Sequence, residues 1–229
     1  MRKGNAMKVF VAGASGRVGQ EVVMRLAARG YEVLAASRSA ESRQWPAGVV
    51  GRNLDFHADV ETLSEQVRGS YAVVFTAGSR GKDLLQTDAF GAVKLMKAAA
   101  AVGANRFIML SSLFSLQPEK WEYEESLKRI TDYNIAKFFA DEWLTRLSGL
   151  DWTLVRPSVL KDEPGTGRIE LYPEHDGSIP IPDVAEVLVS TLEMPSTVGQ
   201  VLDMCRGSEP IAEALSLPRQ VGEEGSPES

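Results

Sequence analysis

The chain has 229 residues, of which 44% are apolar and 24% are charged, and its formal net charge is −6. This composition is typical of a globular protein of one domain or at most two small ones, and the negative charge gives no electrostatic basis for binding nucleic acid or an anionic membrane. Cys205 is the one cysteine, so an intrachain disulfide is excluded and we expect a reducing, cytoplasmic location. No apolar run approaches the roughly 20 residues that span a bilayer, and the polar first residues do not resemble a signal peptide.

From Lys8 to Arg156, short apolar runs alternate with longer helical patterns. The predicted strands, rich in Val, Ile and Phe, are residues 8–12, 32–36, 49–56, 72–76, 106–112 and 153–156. The predicted helices, with apolar residues on one face, are residues 18–29, 84–102 and 127–147. This alternation predicts an α/β fold with a doubly wound parallel sheet and helices on both of its faces.

The C-terminal part of the sequence has a different pattern. Gly and Pro are frequent from Lys161 to Pro182, around a strand candidate at residues 168–172. A helix over residues 181–194 and a strand over residues 198–205 are predicted to follow. Because no linker or repeat divides the chain, we expect one domain over residues 1–217, with elements near the substrate within residues 158–217. The polar end, residues 218–229, is expected to be disordered.

Three glycines lie between the first predicted strand and the first predicted helix. Gly13 allows a tight turn, Gly16 lets a pyrophosphate approach the backbone, and Gly19 lets the helix pack closely on the strand. The N-terminus of the helix then presents free N–H groups to the phosphates. This strand–loop–helix context predicts a dinucleotide-binding site. Its candidate residues are Gly13, Ser15, Gly16, Arg17, Val18 and Gly19.

The end of the second predicted strand favours NADP over NAD. A site for NAD would place Asp or Glu there to hold the ribose 2′-hydroxyl, whereas this strand ends in Ser37 and Arg38. Arg38 can stack on adenine and pair with a 2′-phosphate, with Ser37 and Arg17 as further donors. We therefore expect NADP(H) to be preferred over NAD(H).

Tyr133 and Lys137 lie four residues apart, which places them on one face of a predicted helix. This spacing also occurs by chance, so its surroundings matter. Ser112 ends a buried-strand pattern and precedes Tyr133 by 21 residues.

With these features the sequence resembles the short-chain dehydrogenase/reductase superfamily over most of residues 7–205. The resemblance rests on the glycine loop, the strand ending in Ser112, the Tyr133-x-x-x-Lys137 pair and Arg156-Pro157. The G-x-x-G-x-x-G spacing is similar to that of the extended and atypical members, including NAD-dependent epimerase/dehydratase-like and NmrA-like proteins. Extended sugar epimerases add a large C-terminal substrate domain, but only about 70 residues follow Pro157 here.

The resemblance implies a role for each candidate catalytic residue. Tyr133 would be the general acid/base that exchanges a proton with the substrate oxygen. Because a free tyrosine titrates near pH ~10, it needs a neighbouring positive charge to work at neutral pH. Lys137 would supply that charge and bind the nicotinamide ribose, and Ser112 would hydrogen-bond the substrate oxygen.

The resemblance also implies further cofactor contacts. Asp55 and Phe56, at the end of the third predicted strand, would meet the adenine. Pro157 and Ser158 would border the nicotinamide carboxamide. The residues expected to pass close to the adenine ribose are Thr76, Ala77 and Gly78.

These features together predict an NADP(H)-dependent oxidoreductase that acts on a small carbonyl or quinone-like compound. Two alternatives stay open: a cofactor-sensing regulator of the NmrA type without turnover, and a sugar-nucleotide epimerase or dehydratase. We expect a small-molecule substrate, no nucleic-acid or membrane partner, and a monomer or homodimer. His57 and His175 are far apart in sequence with no Cys/His cluster near either, so no metal site is expected.

Overall fold

A computed structural model describes residues 7–216 of the chain. In chain order the strands are β1 (Lys8–Ala12), β2 (Glu32–Ser37), β3 (Val49–Asn53), β4 (Ala72–Phe75), β5 (Arg106–Leu110), β6 (Asp151–Pro157), β7 (Val159–Lys161), β8 (Arg168–Leu171), β9 (Ser178–Pro180), β10 (Gln200–Arg206) and β11 (Glu209–Pro210). The α-helices are α1 (Arg17–Ala28), α2 (Val60–Val67), α3 (Phe90–Ala101), α4 (Glu125–Lys128), α5 (Thr131–Leu147), α6 (Ile181–Glu193) and α7 (Ile211–Ser216). A π-helix (Leu84–Ala89) and two 3₁₀ turns (Pro118–Lys120 and Pro195–Thr197) complete the set.

The main sheet has the order β11-β8-β10-β6-β5-β4-β1-β2-β3. The seven strands from β10 to β3 are parallel, while β8 pairs antiparallel with β10 and β11. One hydrophobic cluster joins α1 and α6 to one face of the sheet, and a second joins α2, α3 and α5 to the other. The predicted doubly wound α/β fold is therefore confirmed.

The strand order changes direction beside β1, because β2 lies on one side of it and β4 on the other. In an open parallel sheet, such a point leaves a crevice at the carboxyl ends of the strands, and ligands bind there. The glycine loop follows β1 directly, so the fold places it at this crevice.

The third strand is shorter than predicted, since it ends at Asn53 rather than Phe56. A turn takes over because the Asp55 carboxylate accepts a hydrogen bond from the His57 backbone N–H at 2.9 Å. Asp55 and Phe56 therefore follow the strand in a loop and do not close it.

Two predicted helices are interrupted. The pattern over residues 84–102 begins as the π-helix and becomes α-helical only at Phe90. The pattern over residues 127–147 divides into α4 and α5, because the Asn134 side-chain amide donates to the Leu127 carbonyl at 2.8 Å across a bend. Tyr133 consequently lies in the first turn of α5 rather than in the middle of a longer helix.

The C-terminal elements agree with the sequence pattern only in part. The strand candidate at residues 168–172, the helix at 181–194 and the strand at 198–205 correspond to β8, α6 and β10. The small parallel pair of β7 with β9, and the elements β11 and α7, were not predicted. The predicted disordered tail, residues 218–229, lies outside the described residues.

No helix within residues 7–216 combines the length and the apolar character needed to cross a bilayer. Within the same range, no three His, Cys, Asp or Glu side chains are grouped so that they could hold a metal ion.

Candidate active site

The turn after β1 has little space for side chains. Gly13 has φ +87°, and a Cβ added to it would lie 2.5 Å from the Ala77 backbone nitrogen. A Cβ on Gly19 would lie 2.2 Å from the Gly13 carbonyl oxygen, so α1 packs directly on the turn. These contacts agree with the roles predicted for Gly13 and Gly19.

The N-terminus of α1 is suited to an anion. No side chain caps it, and its first turn contains no acidic residue. The first N–H groups of a helix have no intrahelical partners, and the helix dipole is positive at this end. Gly16, the residue at the cap, has no side chain to cover them. These features fit the phosphates of a dinucleotide.

A cavity of about 610 Å³ lies at the carboxyl ends of the central strands. It brings together the glycine loop, the segment after β4, the end of β5 and the start of α5. The predicted site residues that line it are Gly16, Arg17, Val18, Thr76, Ala77, Gly78, Ser112, Tyr133, Lys137 and Pro157. The other predicted residues do not line it: Gly13, Ser15, Gly19, Ser37, Arg38, Asp55 and Phe56.

Lys137 is nearly completely buried, with 2% of its surface exposed. Its ammonium donates a hydrogen bond to the Leu110 carbonyl at 3.1 Å and lies 5.7 Å from the centre of the Tyr133 ring. Ser112, also buried, follows two residues after Leu110 in the same cavity. The Ser112 hydroxyl, the Tyr133 phenol and the Lys137 ammonium, which were predicted from the sequence, thus share one cavity.

Burial raises the pKa of the Tyr133 phenol above its ordinary value of 10.0. The Lys137 ammonium lowers it, and the carboxyl groups of Asp88 and Asp141 raise it further. The phenol is therefore held in its protonated form at neutral pH. A protonated phenol beside an ammonium can donate a proton to a substrate oxygen.

Beyond the cavity, the ends of β2 and β3 form the region expected to hold the adenosine. Ser37 is buried there, and its hydroxyl has no hydrogen-bond partner among the described residues. Arg38 is exposed. Phe56 is packed in the core, with its ring 5.7 Å from that of Phe75. The exposed carboxylate of Asp55 is engaged in the turn with His57.

Arg17 has a partner that the sequence did not suggest. Its guanidinium donates to the Asp162 carboxylate at 2.7 Å, so it is paired with a residue just after β7. Arg80, in the loop after β4, also lines the cavity, and its backbone has the strained angle φ +56°. Each arginine contributes a positive charge to the cavity.

Three polar residues of this region were missed in the sequence. Asp88, in the π-helix, lines the cavity and is fully buried. One of its carboxylate oxygens accepts from the Ser79 N–H at 2.9 Å, and the other has no partner among the described residues. Asp141 and Ser111 form a buried hydrogen bond behind Lys137. Asp141 lies four residues after Lys137, and this spacing was the signal that could have identified it.

The outer wall of the cavity is mostly apolar. It includes Leu113, Leu127, Ile130 and Leu160. Trp121 packs against this wall, and its indole N–H donates to the Phe114 carbonyl at 2.9 Å. The wall can therefore accept an apolar molecule beside the hydroxyls of Ser112 and Tyr133.

A parallel sheet of this order, with a glycine loop after β1 and a Ser–Tyr–Lys set at the crevice, defines a Rossmann-type protein that binds a nicotinamide dinucleotide. A family model described as NAD(P)H-binding matches residues 13–195. The chain belongs to this NAD(P)H-binding family, and within it to the atypical short-chain dehydrogenase/reductase or NAD-dependent epimerase-like group.

Several known proteins resemble the chain over nearly its whole length. A Bacillus subtilis protein named uncharacterized sugar epimerase YhfK is 36% identical over 217 residues, which are 91% of this chain and 99% of that protein. The oxidoreductase ylbE from Lactococcus lactis is 38% identical with a TM-score of 0.88, covering 92% of this chain and 95% of its own. A Bacillus halodurans protein, described provisionally as an NAD-dependent epimerase/dehydratase, is 31% identical with a TM-score of 0.81. The match covers 92% of this chain and 99% of that protein.

Proposed function

We propose that this protein is an NADP(H)-dependent oxidoreductase that reduces a small carbonyl or quinone-like compound. The observation that carries the proposal is the meeting of Ser112, Tyr133 and Lys137 in the cavity that also contains the glycine loop. The identity to an oxidoreductase of Lactococcus lactis supports the reaction type.

The cofactor fits the residues present. The uncapped start of α1 would hold the pyrophosphate, and Gly16 leaves space for it. The buried, unpartnered hydroxyls of Ser37 and Ser158 would gain partners at the two ends of the molecule. Arg38 would pair with the 2′-phosphate that distinguishes NADP from NAD. When bound, the reduced nicotinamide supplies the hydride.

The side chains of the chain supply the proton and hold the substrate. Ser112 donates a hydrogen bond to the substrate oxygen and stabilises the negative charge that develops there. Tyr133 donates its phenolic proton to the same oxygen, so that the carbonyl carbon has gained hydride and the oxygen a proton. Lys137 stabilises the resulting phenolate until solvent returns the proton.

The raised pKa of Tyr133 favours reduction over oxidation in this scheme. At neutral pH the phenol carries the proton that a carbonyl substrate must receive. Oxidation of an alcohol would instead require the phenolate, which burial and the two carboxyl groups disfavour. We therefore expect faster turnover with NADPH and a carbonyl than with NADP⁺ and the corresponding alcohol.

Epimerisation is a second candidate, favoured by the name of the Bacillus subtilis relative. The same Tyr133 could serve it, but an epimerase restores its cofactor in each cycle and consumes none. Net oxidation of NADPH by a carbonyl therefore separates the two functions.

Two measurements test the proposal in sequence. Equilibrium titration should give a lower Kd for NADPH than for NADH, and equal affinities would remove the NADP preference. A panel of aldehydes, ketones and quinones, with NADPH consumption followed by absorbance, should then show at least one substrate. Tight NADPH binding with no consumption across the panel would instead support a cofactor sensor.

A further inference from the structure

A buried polar cluster lies behind the catalytic residues and has no part in the chemistry above. Asp141 on α5 is fully buried, and one of its carboxylate oxygens accepts hydrogen bonds from the hydroxyls of Ser111 and Ser115, both at 2.5 Å. Such short bonds to an ionised acceptor are the strong kind. The two serines flank Ser112 in the segment that follows β5, so Asp141 holds this segment at both ends.

Helix α5 contacts the end of β5 at a third point. Lys137, one turn before Asp141, donates to the Leu110 carbonyl at 3.1 Å. If Lys137 turns to the nicotinamide ribose, as its proposed role requires, this contact is weakened. The Asp141 bonds then remain to hold the Ser112 segment against the helix that carries Tyr133.

The held segment contains a strained residue. Phe114 has φ +56°, an angle that is costly for a residue with a large side chain. Its carbonyl is held by the Trp121 indole, and the Lys120 ammonium lies 4.0 Å from its ring centre. A strained turn persists only where its surroundings fix it, and the Asp141 carboxylate supplies the bonds on both sides.

We propose that Asp141 is a positioning residue, which fixes Ser112 relative to Tyr133 through Ser111 and Ser115 and balances the charge of Lys137. The proposal rests on the proposed function, because it assigns Asp141 to the same site. It adds an acidic residue to the Ser–Tyr–Lys set without placing that residue in contact with substrate or cofactor.

Charged groups surround Asp141 on several elements. Lys137 and Tyr133 lie on its own helix, Arg156 approaches from β6, and Asp88 acts on Tyr133 from the π-helix. Burial raises the pKa of the Asp141 carboxyl to about 6, against the lowering effects of Lys137, the two serines and Arg156. Once Asp141 is protonated it has no negative charge, so the hydrogen bonds it accepts from the two serines are weaker. Turnover should therefore fall below about pH 6.

The test compares Asp141→Asn with Glu142→Gln, a neighbouring change on the same helix that removes a partly exposed charge. Asparagine preserves the size of the side chain but neither ionises nor titrates. We expect Asp141→Asn to lower kcat by about 10- to 100-fold, to leave the Kd for NADPH within about 3-fold, and to lose the acid limb of the pH profile. Glu142→Gln should match the wild type in all three measurements.

A second readout does not depend on turnover. Lys137 faces the cavity, so a small acylating reagent can modify it, and mass spectrometry measures the rate. Asp141 and Lys137 interact electrostatically, so removal of the Asp141 charge should make Lys137 of Asp141→Asn react several times faster at pH 8 than in the wild type or Glu142→Gln. The Ser111→Ala/Ser115→Ala double variant should have a lower kcat but an unchanged rate of Lys137 modification. If Asp141→Asn does not fold, the kcat of this double variant is measured in its place.

The outcomes separate the two proposals. The positioning role would be overturned if Asp141→Asn kept the wild-type kcat and the acid limb of its pH profile. A wild-type kcat in the double variant would overturn it as well. An unchanged rate of Lys137 modification in Asp141→Asn would overturn the charge-balancing role. If the wild type turns over no compound while Lys137 reacts faster in Asp141→Asn, the proposed function fails and the charge relationship stands.

Discussion

Arg17 and Asp162 form an ion pair of 2.7 Å between the glycine loop and the segment after β7. The pair is exposed, with half of the Arg17 side chain and 70% of the Asp162 side chain accessible to solvent. Arg17 can therefore bind a cofactor phosphate only if it leaves Asp162 or shares its charge with it.

Replacement of Asp162 by Asn should strengthen NADPH binding. An exposed ion pair contributes up to about 1 kcal/mol, so its removal should lower the Kd for NADPH by up to about 5-fold. Isothermal titration of the single variant measures this effect. The same substitution in an Arg17→Ala background should change nothing, and a lower Kd there would show that Arg17 is not the cause.

Replacement of Arg38 by Ala should reduce the preference for NADPH over NADH. A charge-assisted bond to a phosphate is among the strong hydrogen bonds, so we expect the ratio of the two Kd values to fall by about 10-fold. The Kd for NADH should change little. Arg43→Ala, which removes an exposed arginine of the same loop, is the matched control. An equal fall of the Kd ratio in Arg43→Ala would mean that any positive charge in this loop has the effect, and not a specific bond from Arg38.

Two glycines of the loop should respond differently to a single methyl group. A Cβ on Gly19 would meet backbone atoms at 2.2 Å, whereas one on Gly16 would lie 3.2 Å from the Gly13 carbonyl oxygen. Gly19→Ala should therefore lower the free energy of unfolding by about 1–3 kcal/mol. Gly16→Ala should keep nearly wild-type stability but weaken NADPH binding. Chemical denaturation and titration distinguish them, and an equal loss of stability would contradict the assignment.

Asp141 should make stability depend on pH. Its pKa in the folded protein is about 6, raised above the ordinary 3.8 mainly by burial, so the stability it contributes is fully present below pH ~4 and lost as the pH rises through about 6. Asp141→Asn lacks this loss. Its free energy of unfolding relative to wild type should therefore increase by about 1.4 kcal/mol between roughly pH 5 and pH 8. A constant difference in urea denaturation across that range would contradict the raised pKa.

The sequence was sufficient for the features that depend on local pattern. The parallel strands were visible as apolar runs, and the glycine spacing indicated the close contacts that Gly13 and Gly19 make. The Tyr133–Lys137 spacing fixed one helical face, which the sheet then brought to the glycine loop.

Other features depend on contacts between distant segments, which a single sequence does not reveal. Arg17 and Asp162 are 145 residues apart. The break before α5 arises from a side-chain bond of Asn134 to the backbone. Asp88 occurs in a helical pattern where an acidic residue suggests a solvated face, yet tertiary packing buries it completely.

The central claim is proton donation by Tyr133 during reduction by NADPH. It is tested most directly by the rate of NADPH consumption with an active compound from the carbonyl and quinone panel, in the wild type and in Tyr133→Phe. Loss of the proton donor should lower that rate by about 10²- to 10⁴-fold, with the Kd for NADPH nearly unchanged. An equal rate in Tyr133→Phe, or no consumption by a wild type that binds NADPH tightly, would contradict the account.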